Sequence, residues 1–184
     1  MKAVLVLFFL ALSAFAQDQS AVIAAEAACG AKDIKFDAKQ DTTQHPTPLP
    51  EPGKALVYVI EDLGQCPDCV SNSYAIFTSV DQALTKVDID GMWAGANRGN
   101  SYFFFFTDPG EHHLCINWQS RLETRSRAFA MANFTAKEGE VYYFRERLFP
   151  GHAGDYSFDL DLVNGDQGKF LVAASAFSVS HPKK

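Results

Sequence analysis

The chain has 184 residues, of which 47% are hydrophobic and 21% are charged, and its formal net charge is −6. A chain of this length fits one domain that can bury a core without disulfide staples. The mildly acidic balance, with no run of basic residues, argues against nucleic acid and against an anionic membrane surface as partners.

The N-terminus has the features of a signal peptide. Lys2 precedes the apolar run Ala3–Leu12, and the small residues Ala14 and Ala16 follow in the A-x-A pattern of a cleavage site. The apolar run is too short to span a bilayer as a mature helix. We therefore expect residues 1–16 to be removed and the mature chain, without a membrane span, to be exported to the periplasm or the extracellular medium.

Residues 17–52 are predicted to be an N-terminal segment that ends in a linker. Apolar and polar side chains alternate over residues 33–40, as they would in a half-buried strand. Residues 41–53 contain four prolines, which is typical of a linker or an extended covering strand. We therefore place the start of the compact domain at Gly53.

From that point the chain predicts short strands separated by turns. The predicted strands are residues 54–61, 84–90, 101–107, 112–119, 128–136, 140–149 and 155–163. The first is apolar on both faces, which indicates a central strand. Asp90-Gly91 is a strong hairpin signal.

Turn residues also connect residues 101–107 to residues 112–119, and residues 128–136 to residues 140–149, so each pair is predicted to be a hairpin. About seven or eight such strands predict an all-β fold, an antiparallel β-sandwich, over residues 53–177. A short helix is expected over residues 166–176, and residues 178–184 are expected to be a polar tail.

Four consecutive phenylalanines, 103 to 106, lie in one predicted strand, so two of them face each way. One pair should fill the core, and the other is either covered by another segment or lines a binding surface. We favour a strand that is buried on both faces, and keep Phe103 and Phe105 as candidates for a binding surface. Arg121 and Arg125, in the loop after Trp118, are further candidates because they could bind an acidic group.

The four cysteines are Cys29, Cys66, Cys69 and Cys115, and an even number in an exported chain suggests disulfides. The simplest pairing is Cys66–Cys69 as a local bridge and Cys29–Cys115 as a link from the N-terminal segment to the sandwich. A thioredoxin-like role for the CxxC motif is disfavoured because no α/β unit surrounds it. The alternative is a zinc site formed by Cys66, Cys69, His113 and Cys115, with His113 and Cys115 on the same strand face.

The sequence contains no G-x-S-x-G, no H-E-x-x-H and no glycine-rich phosphate loop. We therefore predict no catalytic residue and no cofactor.

Three segments together resemble an uncharacterised family of exported bacterial domains of unknown function: PGKALVYVIED, VDIDGMWAGANRGNSYFFFFTDPGEHHLC and TAKEGEVYYFRERL. The family pattern is a "PGKA-VYV" first strand, a "DG…VG" hairpin, a "PG-H" turn and a "G-YYF" strand. The resemblance spans Pro52 to Val172, and the chain departs from the pattern at Ala94-Gly95, where Val-Gly is commoner. It implies a β-sandwich module and a structural role for His112, and it carries over no catalytic residue.

We therefore predict a non-enzymatic exported β-sandwich that acts as a binding or interaction module of the periplasm or cell envelope. Its partner would be a protein or an envelope component of unknown identity. The alternative is a small zinc-binding or thiol-redox protein that uses Cys66, Cys69, His113 and Cys115.

Overall fold

The structure is a computed structural model that describes residues 23–25, 27–30, 33–62, 84–119, 129–150 and 156–184. The predicted signal peptide, the Cys66–Cys69 motif, and Arg121 with Arg125 lie outside these residues. Within them, no helix is long and apolar enough to cross a membrane.

The described residues form two β-sheets. The strands, and the helix after the ninth strand, are β1 (Phe36–Asp41), β2 (Ala55–Glu61), β3 (Leu84–Ile89), β4 (Met92–Arg98), β5 (Ser101–Thr107), β6 (Gly110–Trp118), β7 (Phe129–Ala136), β8 (Val141–Pro150), β9 (Tyr156–Val163), α1 (Gly165–Ala174) and β10 (Ala176–Pro182). Six strands make one sheet, in the order β1-β10-β5-β2-β8-β9, and four make the other, in the order β4-β3-β6-β7. The predicted all-β sandwich class is confirmed.

The Asp90-Gly91 hairpin is also confirmed, because β3 and β4 pair antiparallel around it. Asp90 has φ 53° and Gly91 has φ 82°, the left-handed conformations that a tight turn between twisted strands requires.

The other two predicted hairpins are wrong. The strand β5 pairs with β2 and β10 in the six-stranded sheet, whereas β6 pairs with β3 and β7 in the four-stranded sheet. The strands β7 and β8 are likewise in different sheets, and β8 runs parallel to β2. A short turn can carry the chain across the gap between two packed sheets as readily as along one sheet, so turn chemistry alone does not fix the partner.

The six-stranded sheet extends beyond both predicted domain boundaries. The strand predicted at residues 33–40 is its edge strand β1, which pairs antiparallel with β10 from Phe36–Pro182 to Asp41–Phe177. Residues 178–182, predicted to be part of a polar tail, therefore belong to the sheet. Their polar side chains are tolerated because they find partners: Ser178 Oγ, for example, donates to the Ala96 carbonyl at 2.8 Å.

The phenylalanine run is buried on both faces, as we favoured. Phe103 is 6% exposed in the core between the sheets, and Phe105 packs against the same core. Phe104 and Phe106 pack on the opposite face of the sheet with Leu171 of α1. The assignment of Phe103 to a binding surface is therefore wrong, because the four-stranded sheet covers its face of β5, and half-buried Phe105 faces the same core.

The predicted C-terminal helix is confirmed as α1. Asn164 caps it, accepting a hydrogen bond from the Gln167 amide at 2.9 Å. Gly168 lies directly on Tyr143, so close that a Cβ at this position would be 2.1 Å from the ring carbon Cγ. A glycine inside the helix therefore allows the backbone to approach the sheet.

The N-terminal segment crosses the outer face of the four-stranded sheet. A disulfide joins Cys29 to Cys115 on β6, with 5.9 Å between the Cα atoms, which confirms that predicted pairing. Lys86 Nζ donates to the Ile34 carbonyl at 2.8 Å and lies 4.2 Å from the centre of the Trp93 ring. The segment is thus attached to the sheet by covalent and polar contacts.

Candidate functional site

A groove lies at one end of the four-stranded sheet, beside its edge strand β7. Its volume is about 480 Å³, and its lining comes from the β3–β4 turn, the start of β6, and β7. The lining residues are Asp90, Glu111, His112, His113, Asn133, Phe134 and Thr135.

Asp90 organises the floor of this groove. Its left-handed backbone in the β3–β4 turn directs the carboxylate towards β6. There Oδ1 accepts a hydrogen bond from the His113 amide at 2.8 Å, and Oδ2 lies 2.6 Å from His112 Nδ1. Both carboxylate oxygens are engaged, so the turn and the strand are held in a fixed relation.

His112 is held at both ring nitrogens. Nδ1 contacts the Asp90 carboxylate, and Nε2 lies 2.7 Å from the Asp108 carbonyl and 3.2 Å from Thr107 Oγ1. A carboxylate and a carbonyl can only accept, so these contacts favour the protonated imidazolium form of the ring, in which both nitrogens donate.

The pKa values of this pair follow from the same contacts. Burial lowers the pKa of His112, but its hydrogen bonds to Asp90 and to the Asp108 carbonyl outweigh burial, and the net shift is upward. Burial raises the pKa of Asp90, but the His113 amide and the His112 ring more than offset it, and the net shift is downward. The two groups therefore form an ion pair.

Four polar residues that also line the groove form two cross-strand pairs. In the β6–β7 register, Glu111 lies opposite Thr135, and His113 lies opposite Asn133. All four positions are on the same face of the strand pair, because they are two residues apart along each strand. Within the described part of the chain, none of these four side chains makes a hydrogen bond or ion pair. They are therefore available to a ligand.

The predicted site residues are only partly brought together. His113 and Cys115 do share the outer face of β6, but the sulfur of Cys115 is bonded to Cys29. A thiolate at Cys115 would require that bond to be reduced. Among the residues that the structure describes, no group of three or more His, Cys, Asp or Glu side chains is arranged to hold a metal ion.

Sequence reasoning missed Asp90, Glu111, Asn133 and Thr135 as site residues. The Asp-Gly turn and the adjacent histidines were visible signals. The pairing register of β6 and β7 brings these signals together, and it could not be deduced from local patterns.

No protein-family model matches the chain, and no curated protein and no solved structure matches it either. The resemblance to an uncharacterised exported family therefore stays a prediction.

Proposed function

We propose that the protein is an exported, non-enzymatic binding module of the periplasm or cell envelope, and that its ligand occupies the groove beside β7. The observation that supports this proposal is a groove lined by the Asp90–His112 pair and by four polar side chains that have no hydrogen-bond partner among the described residues. A pre-organised site with unused donors and acceptors gains affinity because little side-chain order has to be imposed on binding.

The state of His112 favours binding over catalysis. A general base needs a free ring nitrogen within reach of the substrate. Both nitrogens of His112 are engaged with Asp90 and the Asp108 carbonyl, so the ring supports the groove and does not accept a proton.

The lining also indicates the chemistry of the ligand. The available groups are a carboxylate, an imidazole, an amide and a hydroxyl, at Glu111, His113, Asn133 and Thr135. Such groups suit a ligand rich in hydroxyl and amide groups, which is the chemistry of an envelope glycan.

A co-sedimentation assay with purified, insoluble peptidoglycan tests this function. We expect the wild-type protein to sediment with the glycan, and the double variant His113→Ala/Asn133→Ala to bind more weakly. Two lost hydrogen bonds at about 1 kcal/mol each correspond to about 30-fold in affinity. Ser157→Ala, on the exposed edge strand β9 of the other sheet, is the matched control and should bind like the wild type. Equal sedimentation of all three proteins, or of none, would contradict the proposal.

Export rests on the N-terminal sequence and is tested by the intact mass of protein recovered from the periplasm or medium. Removal of residues 1–16 is expected, with Gln17 as the new N-terminus. An uncleaved chain that remains in the cytoplasm would contradict it.

The alternative function, a zinc-binding or thiol-redox protein, requires Cys66, Cys69, His113 and Cys115 to act together. The same mass measurement separates the two proposals. A binding module should lack thiol hydrogens at Cys29 and Cys115 and carry no metal under native conditions. One zinc ion that is lost on denaturation, together with free thiols, would favour the alternative.

A further inference from the structure

Two glutamates are fully buried at one end of the core. Glu61 is the last residue of β2, and Glu146 lies directly opposite it on the parallel strand β8. Two residues before each glutamate on its strand lies a core residue, Val59 before Glu61 and Phe144 before Glu146. Residues two apart share a strand face, so both glutamate side chains point between the sheets. Both residues are 0% exposed.

Neutral donors serve one oxygen of each carboxyl group. Thr85 Oγ1 donates to Glu61 Oε1 at 2.9 Å. Asn97 Nδ2 lies 3.5 Å from Glu146 Oε1 and also donates to the Val59 carbonyl at 3.1 Å. The second oxygens, Glu61 Oε2 and Glu146 Oε2, are buried and have no hydrogen-bond partner among the described residues. Two unpartnered oxygens at one place require an explanation, because each costs free energy in the interior.

No described cation faces the two carboxyl groups. The strands around them contribute Thr85, Asn97 and Ser101, which are uncharged, and Leu160 lies opposite Glu146 on β9. The charged residues of the same strands make their contacts elsewhere: Arg145 and Arg147 with Asp161 and Asp159, Lys86 with the Ile34 carbonyl, and Arg98 with the Ala38 carbonyl. Asp62, next in the chain, is only half-buried and is influenced by Arg145 and Arg147.

We propose that Glu61 and Glu146 share one proton between their Oε2 atoms, and that this buried proton site links the folding of the protein to pH. A single Oε2–H···Oε2 hydrogen bond would satisfy both unpartnered oxygens at once. It would also remove one of two like charges that no cation among the described residues balances.

The expected titration agrees with this geometry. Burial raises the pKa of Glu61 to about 8, and burial together with the charge of Glu61 raises the pKa of Glu146 well above its ordinary value of 4.5. In the unfolded chain both groups lose their protons near 4.5. The stability that the shared proton contributes is therefore fully present below about pH 4.5 and is lost as the pH rises towards 8.

Urea unfolding from pH 5 to pH 8 tests the proposal on the wild type, the variant Glu61→Gln/Glu146→Gln, and the control Glu140→Gln. Glu140 is exposed and immediately precedes β8. One proton released on unfolding makes the folding constant fall tenfold per pH unit. We therefore expect the ratio of the wild-type constant to that of the double variant to fall about 300-fold over this range, because the unfolded glutamates are still partly protonated at pH 5 and the folded pair is half deprotonated at pH 8. The ratio of wild type to control should stay constant, and other titrating groups cancel in both ratios.

The proposal would be overturned if the free energy of unfolding changed with pH by the same amount in the wild type and in the double variant. A calcium-dependent rise in the unfolding midpoint at pH 8, present in the wild type and absent in the double variant, would also overturn it, because a cation would then occupy the site. If the double variant does not fold, ¹³C NMR of glutamate-labelled wild type decides. A side-chain carboxyl signal that titrates near pH 8 supports the shared proton, and titration of every glutamate below about pH 5 contradicts it.

Discussion

Removal of the Cys29–Cys115 disulfide should be among the most destabilising changes in the chain. We consider the double variant Cys29→Ala/Cys115→Ala. The bond closes a loop of 86 residues. The chain-entropy relation for a loop of this length gives a loss of about 4–5 kcal/mol at 25 °C, because the unfolded chain regains the freedom that the bond removes. Domains are stable by only about 5–15 kcal/mol, so the expected loss is a large fraction of the total.

Equilibrium urea unfolding under non-reducing conditions measures this loss. With a slope of about 2 kcal/mol/M, the midpoint of the variant should lie about 2 M below that of the wild type. Cys66→Ser/Cys69→Ser is the matched control, since it also removes two cysteines but leaves the long loop closed. We expect the control to lose less than half as much.

A loss below about 1 kcal/mol would refute the reasoning. It would mean that the unfolded chain gains little freedom when the bond is removed, or that native strain in the bond cancels the entropy. The remaining contacts of the segment, such as Lys86 with the Ile34 carbonyl, would then hold it on the sheet without the disulfide.

Three further predictions follow from packing and charge. Phe103→Ala should destabilise the fold by about 3–5 kcal/mol in chemical denaturation, because it empties a core position, and a loss under about 1 kcal/mol would place Phe103 at the surface. Gly168→Ala should destabilise the fold by about 1–3 kcal/mol, and so lower the melting temperature, because the added Cβ would collide with Tyr143. A higher melting temperature would contradict the close approach of the helix to the sheet. The pKa of His112 lies above its ordinary value of 6.5, so its ion pair with Asp90 contributes fully below pH 6.5 while Asp90 is ionised, and the contribution is lost as the pH rises through the raised pKa of His112. Asp90→Asn tolerates the same left-handed backbone and should lower the NMR titration midpoint of His112, whereas an unchanged midpoint would show that Asp90 does not hold the proton.

The sequence predicted separate parts of the candidate site but not how they come together. The Asp90-Gly91 turn and His112 were recognised, and a structural role for His112 was implied by the family resemblance. Its ion pair with Asp90 depends on the β3–β6 pairing, because Asp90 is separated from His112 by two strands and two turns. The groove likewise depends on the register that sets His113 opposite Asn133.

The sequence by itself determined the all-β class, the buried central strand β2, the Asp90-Gly91 hairpin and the C-terminal helix. These features are local: a two-residue alternation, an apolar run or a turn dipeptide acts within a few residues of the chain. The same alternation also placed the two phenylalanine pairs on opposite faces of β5.

Only the tertiary structure decided which strands are neighbours. The separation of β5 from β6 into different sheets, the parallel pairing of β2 with β8, and the β1–β10 edge all join segments that are distant in sequence. Local periodicity fixes which face of a strand is buried, but it contains no information about the partner across the sheet. Glu61 and Glu146 are neighbours for the same reason, because the parallel pairing of β2 with β8 places them side by side at one end of the core.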